Sequence, residues 1–338
     1  MKLSILDQSP ISTNQTAYEA LQESMNLARI GETLGYSRYW IAEHHAMPGL
    51  ACSAPEVMLG YIGANTKNIR IGSGAVLLPY YKPYKVAETY HMLSTLFPNR
   101  IDVGIGRAPG GPAEATNALS DNYLQHVYKM PDLVYELIKY IDNEGTVVKA
   151  SPIPQISPDL WMLGTSRKSG DFAAENGLAY SFGQFMSDEN GAEIVQQYRQ
   201  SFQPRKKGQK PYVIMALSVI CAETTQKAEE IALSSIVWEL QNESMEGNKG
   251  VPSVDEAKKI LLNLRNQKSI ERCLLGILKI TQDNPPSKWA YIPLQDFTHN
   301  SDIDWSKDIP QIDQQLYKKY GLTQSEIDFI EDKVKVMD

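Results

Sequence analysis

Short apolar runs alternate along the chain with longer stretches in which apolar positions recur every three or four residues. "KLSIL" (residues 2–6) reads as a strand. Thr16 to Leu34 places Ala17, Leu21, Met25, Ala28 and Leu34 on one face of a helix that Gly35 stops. The same beat gives "RYWIAE" as a second strand, a helix over residues 54–64 opening near Pro55, and "IRIGSGAVLL" as a third strand. A helix over Tyr84 to Leu96 and "IDVGIG" as a fourth strand follow. One long helical pattern spans Asp121 to Ile141. Then come "LWMLG" as a fifth strand, a short helix over Ser169 to Asn176, "LAYSFG" as a sixth strand and "YVIMALSVICAE" as a seventh. Strands that read as continuous apolar runs between helices predict a parallel sheet covered by helices.

Two architectures fit this alternation, an open doubly wound sheet and a closed (β/α)8 TIM barrel, and the strand count favours the barrel. A barrel collects its functional groups at the C-terminal ends of its strands, where this sequence places its unusual residues. His44 and His45 follow the second strand, Gly74 to Pro79 end the third, Arg107 follows the fourth, and Thr165 and Ser166 follow the fifth.

Each of these groups has more than one use. Adjacent histidines on extended backbone point to opposite sides, so at most one faces the mouth while the other belongs to the wall. Without a nearby HxH or HExxH they make a poor metal site. "DVGIGRAPGG" lacks the third glycine of a dinucleotide fingerprint and the immediate helix it needs. Arg107 there either forks onto a phosphate or pairs with a wall carboxylate. "LGTSRKSGDF" leads from a strand into a helix with hydroxyls in the turn, a seat for a phosphate as well as an N-cap at Ser169. Tyr80, Tyr81 and Phe185 either line an apolar pocket or pack.

The bulk properties narrow the partners. A chain of 338 residues suits one large α/β domain or two ordinary ones. Its net charge of -7, with dispersed lysines and arginines, supplies no basic stripe, so no nucleic acid is expected on the main body. Cys52, Cys221 and Cys273 are far apart with no CxxC, which fits neither a zinc knuckle nor a disulfide framework and points to a reducing compartment. The N-terminal apolar run is too short for a signal segment and no stretch could span a bilayer, so a cytoplasmic protein is expected.

Taken together and in order, "LDQSPI", "YWIAEHHAMPGLACSAPE", "RIGSGAVLLPYYKPYKVAE", "RIDVGIGRAPGG" and "LGTSRKSGDFAAENGLAYSF" resemble the luciferase-like flavin-dependent monooxygenases from about Lys2 to about Leu240. The resemblance implies a barrel that takes reduced FMN, delivered by a separate flavin reductase, and reacts it with O2 to a C4a-peroxyflavin that oxidises a small organic substrate such as an aldehyde. Some relatives use a deazaflavin, the less expected cofactor here. It also implies that His44 is the catalytic histidine and that Gly74 and Ala75 flank a non-prolyl cis peptide against the flavin ring. Arg107, Gly164, Thr165 and Ser166 would bind the cofactor around its phosphate. His45 and Glu43 would be wall residues, Glu43 with or without an orienting duty, and the protein would be a homodimer.

The resemblance fades after Cys273. From Ser287 the chain is similar instead to the C-terminal tail of adenine-specific DNA methylases, without a methylase catalytic motif. This divides the sequence into a barrel domain, residues 1–284, and an atypical C-terminal tail, residues 285–338, which replaces or distorts the last βα unit. "CLLGILKI" and "WAYIPL" are the two candidates for the eighth strand, and Ile327, Phe329, Ile330 and Val334 form a partial helical face. A flavin-binding barrel that has lost turnover through this altered ending is the alternative function, and a metal-dependent hydrolase a distant third.

Overall fold

The computed structural model describes residues 2–243, 250–262 and 301–333. These form two compact units, Met1–Cys221 with Ser244–Val251, and Ala222–Glu243 with Pro252–Asp338. In the first, strands β1 (Ser4–Asp7), β2 (Arg38–Ile41), β3 (Arg70–Ser73), β4 (Val76–Leu77), β5 (Ile101–Gly106), β6 (Asp159–Gly164), β7 (Ala179–Gly183) and β8 (Val213–Ala216) make one sheet. All pairings are parallel, in the order β1-β2-β3-β5-β6-β7-β8, with β4 also on β5. Every crossover therefore advances in the same direction, whereas a doubly wound sheet reverses at a switch point. The sheet is a nearly closed TIM-type barrel. The two candidates for the eighth barrel strand, the 284/285 boundary and Cys273 lie outside the described residues.

Helices α1 (Ala17–Thr33), α2 (Pro55–Asn65), α3 (Pro83–Leu96), α4 (Ala113–Leu119), α5 (Tyr123–Tyr128), α6 (Met130–Asp142), α7 (Arg167–Glu175) and α8 (Gly191–Ser201) complete this unit. Local chemistry sets their starts. Thr16 and Glu19 form a reciprocal capping box on α1, and Pro55 and Pro83 open α2 and α3 where a missing N–H costs nothing.

Four expectations need correction. The face of α1 that is buried carries Ala20, Ser24, Met25, Ala28 and Gly31, while Ala17 and Leu34 are exposed. Close packing selects small residues there, since a methyl on Gly31 would sit 2.8 Å from Ile5 Cδ1. The expected helix from Asp121 to Ile141 is two helices, parted at Lys129 with Pro131 in the first turn of α6, where proline cannot extend a preceding helix. "IRIGSGAVLL" is split between β3 and β4 by the cis peptide Gly74–Ala75. The seventh expected strand ends at Ala216, and Leu217, Val219 and Ile220 beyond it are exposed. Neither α4 nor α8 was expected. α4 buries no residue, so it leaves no apolar period to read.

The second unit contains α9 (Thr225–Glu243), a helical stretch at residues 254–262, and helices over Ile309–Lys319 and Gln324–Lys333. Ile303, Trp305, Ile312, Leu316 and Tyr317 form its small core, and Ile327 of the expected helical face packs against it. Val334 lies outside the described residues.

The base of the barrel is closed by charge. Asp102, fully buried on β5, accepts from Arg38 Nε and Trp40 Nε1 on β2, each at 3.0 Å, and from Arg70 Nη2 on β3 at 2.6 Å. The Arg38 guanidinium lies 5.0 Å from the ring centres of both Trp161 and Tyr212. Arg70 Nη2 also donates to Asp159 Oδ2 at 2.6 Å, so two carboxylates face two arginines, and removing the Asp102 charge would leave Arg38 without its carboxylate. Asp102→Asn is expected to lower unfolding free energy by about 3–5 kcal/mol. Urea denaturation checks this, and a loss below about 1 kcal/mol would refute it.

Candidate functional site

The C-terminal ends of β2, β3/β4, β5 and β6 form one rim, held by named contacts. The end of β2 is tied to its neighbours by Ala42 N donating to Asp7 O at 2.9 Å and Gly74 N donating to Ile41 O at 2.8 Å. Backbones of the next strands approach so closely that side chains do not fit between them. A methyl on Gly104 would lie 2.0 Å from Ser73 O, and one on Gly106 2.9 Å from Ala75 Cβ. At Gly72 and Gly74 too the missing side chain lets neighbours close in, since a methyl there would lie 2.6 Å from Asp102 O and 2.5 Å from Leu6 Cδ1.

Beyond β2 the chain stays extended, and side chains alternate as expected. Glu43 and His45 share one side, where His45 Nε2 lies 2.8 Å from Glu43 Oε1. Both are buried in the wall, as expected of His45. His44 lies on the other side, partly buried, its backbone N–H donating to Cys52 O at 3.0 Å. Its Nδ1 is buried and has no hydrogen-bond partner among the described residues. Burial, reinforced by the neighbouring His45, pushes the His44 imidazole down to about 4, so it is a neutral ring near pH 7.

Arg107 leaves β5 directly after Gly106, and its side chain is exposed. The loop it opens is pinned from three sides. His45 N donates to Gly110 O at 2.7 Å, Tyr80 O–H to Pro109 O at 2.6 Å, and Tyr123 O–H to Arg107 O at 2.7 Å. Tyr80 also stacks on Tyr123 at 4.9 Å between ring centres. Of the aromatics considered for a pocket, Tyr80 and Tyr81 spend their hydroxyls on the protein, Tyr80 on this loop and Tyr81 on Glu43.

Gly164, Thr165 and Ser166 lead from β6 into α7, all partly buried. Ser169 both accepts from Ser166 N, at 3.3 Å, and donates to Ser166 O, at 2.6 Å, but it is the third residue of α7 and Ser166 is the N-cap, which corrects the expected cap at Ser169. A carboxylate already sits at this helix start, where Arg167 N donates to Glu189 Oε2 at 3.2 Å. The positive end of the helix dipole thus faces an anionic group. The structure brings His44, Gly74, Ala75, Arg107, Gly164, Thr165 and Ser166 to the same end of four neighbouring strands. Sequence reasoning did not find the role of Tyr123 or Glu189. It left Glu43 undecided, although a charged residue inside a buried strand end was a signal.

The family model for luciferase-like monooxygenases matches residues 1–268. The chain belongs to the luciferase-like monooxygenases. It is similar to a Bacillus subtilis N-acetyl-S-alkylcysteine monooxygenase, 38% identical over 241 residues, covering 69% of this chain and 72% of that one. Among solved structures it is similar to apo-MsnO8, at TM-score 0.70 and 35% identity over 77% of this chain and 78% of the other. The oxygenating constituent of 3,6-diketocamphane monooxygenase from Pseudomonas putida, in complex with FMN, shares the fold at TM-score 0.54 and 18% identity, with 69% and 71% covered. As a luciferase-like monooxygenase the chain is a flavin-dependent oxidoreductase. No helix among its described residues is long and apolar enough to cross a membrane.

The lowered His44 value gives a sign to acid stability. Between about pH 6.5 and about 4 the unfolded chain binds a proton at this position that the folded chain does not, so stability falls as the pH drops through this window. His44→Gln is therefore expected to lose less stability than wild type between pH 7 and 5, by a few degrees in melting temperature. Parallel melts in the two proteins measure it, and identical pH slopes would contradict it.

Proposed function

We propose that this chain is the oxygenase component of a two-component system. It takes reduced FMN from a separate flavin reductase, reacts it with O2 through a C4a-peroxyflavin, and oxidises a small organic substrate. Aldehydes and N-acetyl-S-alkylcysteines are the classes to assay first. The observation that carries this reading is a neutral histidine with an unpartnered, buried ring nitrogen on the same barrel rim as Arg107 and the turn from β6 into α7. A ring nitrogen still to be matched fits a group at the reacting centre, and a helix start that already accepts a carboxylate fits the phosphate at the other end of the ligand.

In this reading Gly74 and Ala75 lie against the ring. Arg107, Gly164, Thr165 and Ser166 hold the phosphate, the arginine by a charge-assisted fork and the turn by its backbone and hydroxyls. When bound, the flavin supplies the electrons and the oxygen chemistry. His44, neutral at working pH, offers one nitrogen as donor and the other as acceptor at the reacting centre, the state suited to passing a proton. FMN is favoured over a deazaflavin, and the working form is a cytoplasmic homodimer.

Anaerobic titration with reduced FMN, followed by an oxygen pulse, tests the reading. Saturable binding, and a transient flavin absorbance that His44→Ala shortens by about a hundredfold or more, are the expected result. Arg107→Ala is expected to weaken reduced FMN by about tenfold. Saturation by a reduced deazaflavin but not by reduced FMN would reassign the cofactor, and binding with no transient would favour a barrel without turnover. Sedimentation of the same samples measures the dimer.

A further inference from the structure

Glu43 is 2% exposed, at the point where β2 runs out into the rim. Its carboxylate accepts from three directions: Tyr81 O–H at 2.6 Å, His45 Nε2 at 2.8 Å and, on its other oxygen, Leu77 N at 2.9 Å. These partners come from different parts of the rim. Leu77 belongs to β4, Tyr81 stands just before α3, and His45 lies two residues further along the chain. His45 in turn binds Gly110 O through its own backbone N–H. The loop bearing Arg107 is pressed against the same place, since a methyl on Gly111 would lie 2.1 Å from His45 O. One carboxylate therefore connects the end of β2, β4, the start of α3 and, through His45, the Arg107 loop.

His44 stands between Glu43 and His45. Its Nδ1 has no partner among the described residues, so a hydrogen bond at that atom does not fix the ring. The two residues on either side of it, Glu43 and His45, are bonded to each other through their side chains. Burial pushes the Glu43 carboxyl up, and the donors from Tyr81, Leu77 and His45 oppose that push. An uncompensated carboxylate here would be costly, which makes all three donors part of one unit.

We infer that Glu43 is a positioning residue: with Tyr81 and His45 it locks the two residues that flank His44, so that the imidazole keeps one setting relative to β4 and the Arg107 loop. The inference rests on the proposed role of His44. It differs from a role in orienting His44 by direct contact, because the carboxylate bonds to His45 and not to His44. It assigns Tyr81, a residue with no direct place at the reacting centre, the same duty.

The test uses Glu43→Gln, Tyr81→Phe, His45→Ala and His45→Gln in the full chain. Imidazole NMR signals of the ligand-free protein are recorded first, with His44 assigned by its loss in His44→Gln. The oxygen-pulse experiment follows. Glu43→Gln keeps one oxygen as an acceptor and turns the other into an amide N–H₂, which cannot accept from the donor it faces. The expected result is a His44 signal that moves or broadens in Glu43→Gln and Tyr81→Phe. The flavin transient is expected to decay about tenfold faster in Glu43→Gln and about threefold faster in Tyr81→Phe, with affinity for reduced FMN within about threefold of wild type. His45→Gln, which retains a donor for Glu43, is expected to recover most of what His45→Ala loses. If Glu43→Gln does not fold, Tyr81→Phe decides alone, because it deletes one hydroxyl from the same unit. A His44 signal and a transient unchanged in the folded variants would overturn the inference. If wild type itself gives no flavin complex, the proposed function fails while the ligand-free spectra still decide the case: a shifted His44 signal supports the Glu43 unit, and an unshifted one overturns it.

Discussion

A carboxylate with no water around it must be matched by the protein, and Asp102 is such a group at the centre of the barrel base. Its match draws Arg38 and Trp40 from β2 and Arg70 from β3 onto β5, while the Arg38 guanidinium is covered by the rings of Trp161 and Tyr212. Four strand beginnings are thereby fixed against one another at the end opposite the rim. Tyr212, just ahead of β8, also accepts from Arg38 Nη1 at 3.1 Å. With the base closed by charge, the other ends of the same strands can carry glycines, loops and polar side chains that would not by themselves hold a sheet together.

The rim repeats the same principle on a smaller scale. Glu43 is matched by three donors, and two of the loops that matter for chemistry meet at its partners. Between base and rim the glycines of β3 and β5 determine how near the neighbouring atoms come. Stability and chemistry are therefore separated along the strand axis. The base holds two carboxylates against two arginines, whereas the rim holds a histidine with a nitrogen still to be matched.

Much of this was legible in the sequence, for physical reasons. Buried parallel strands must be apolar throughout, so all seven runs could be read, and the residues after them named the rim. Adjacent side chains on extended backbone diverge, and His45 bonds to Glu43 two residues away rather than to His44. The misreadings have equally physical causes. The buried face of α1 is made of alanine, serine and glycine because its neighbours are close, and small residues carry little hydropathy signal. Pro131 divides a pattern whose periodicity passes straight through it. The link from Tyr123 to the Arg107 carbonyl depends on how a loop folds back, and no local period encodes that.

Glu189 at the start of α7 has a consequence for selectivity. If the turn holds a phosphate as proposed, the arriving anion meets an N–H that a carboxylate of the chain already occupies, and it exchanges with a resident group there rather than filling an empty receptor. A small solute anion that offers only its charge gains little from such an exchange, since the displaced carboxylate had much the same interaction. A ligand that brings further contacts elsewhere on the rim gains from them whatever happens at the helix start. Under that proposal the internal anion acts as a threshold, so that charge alone is not enough to enter.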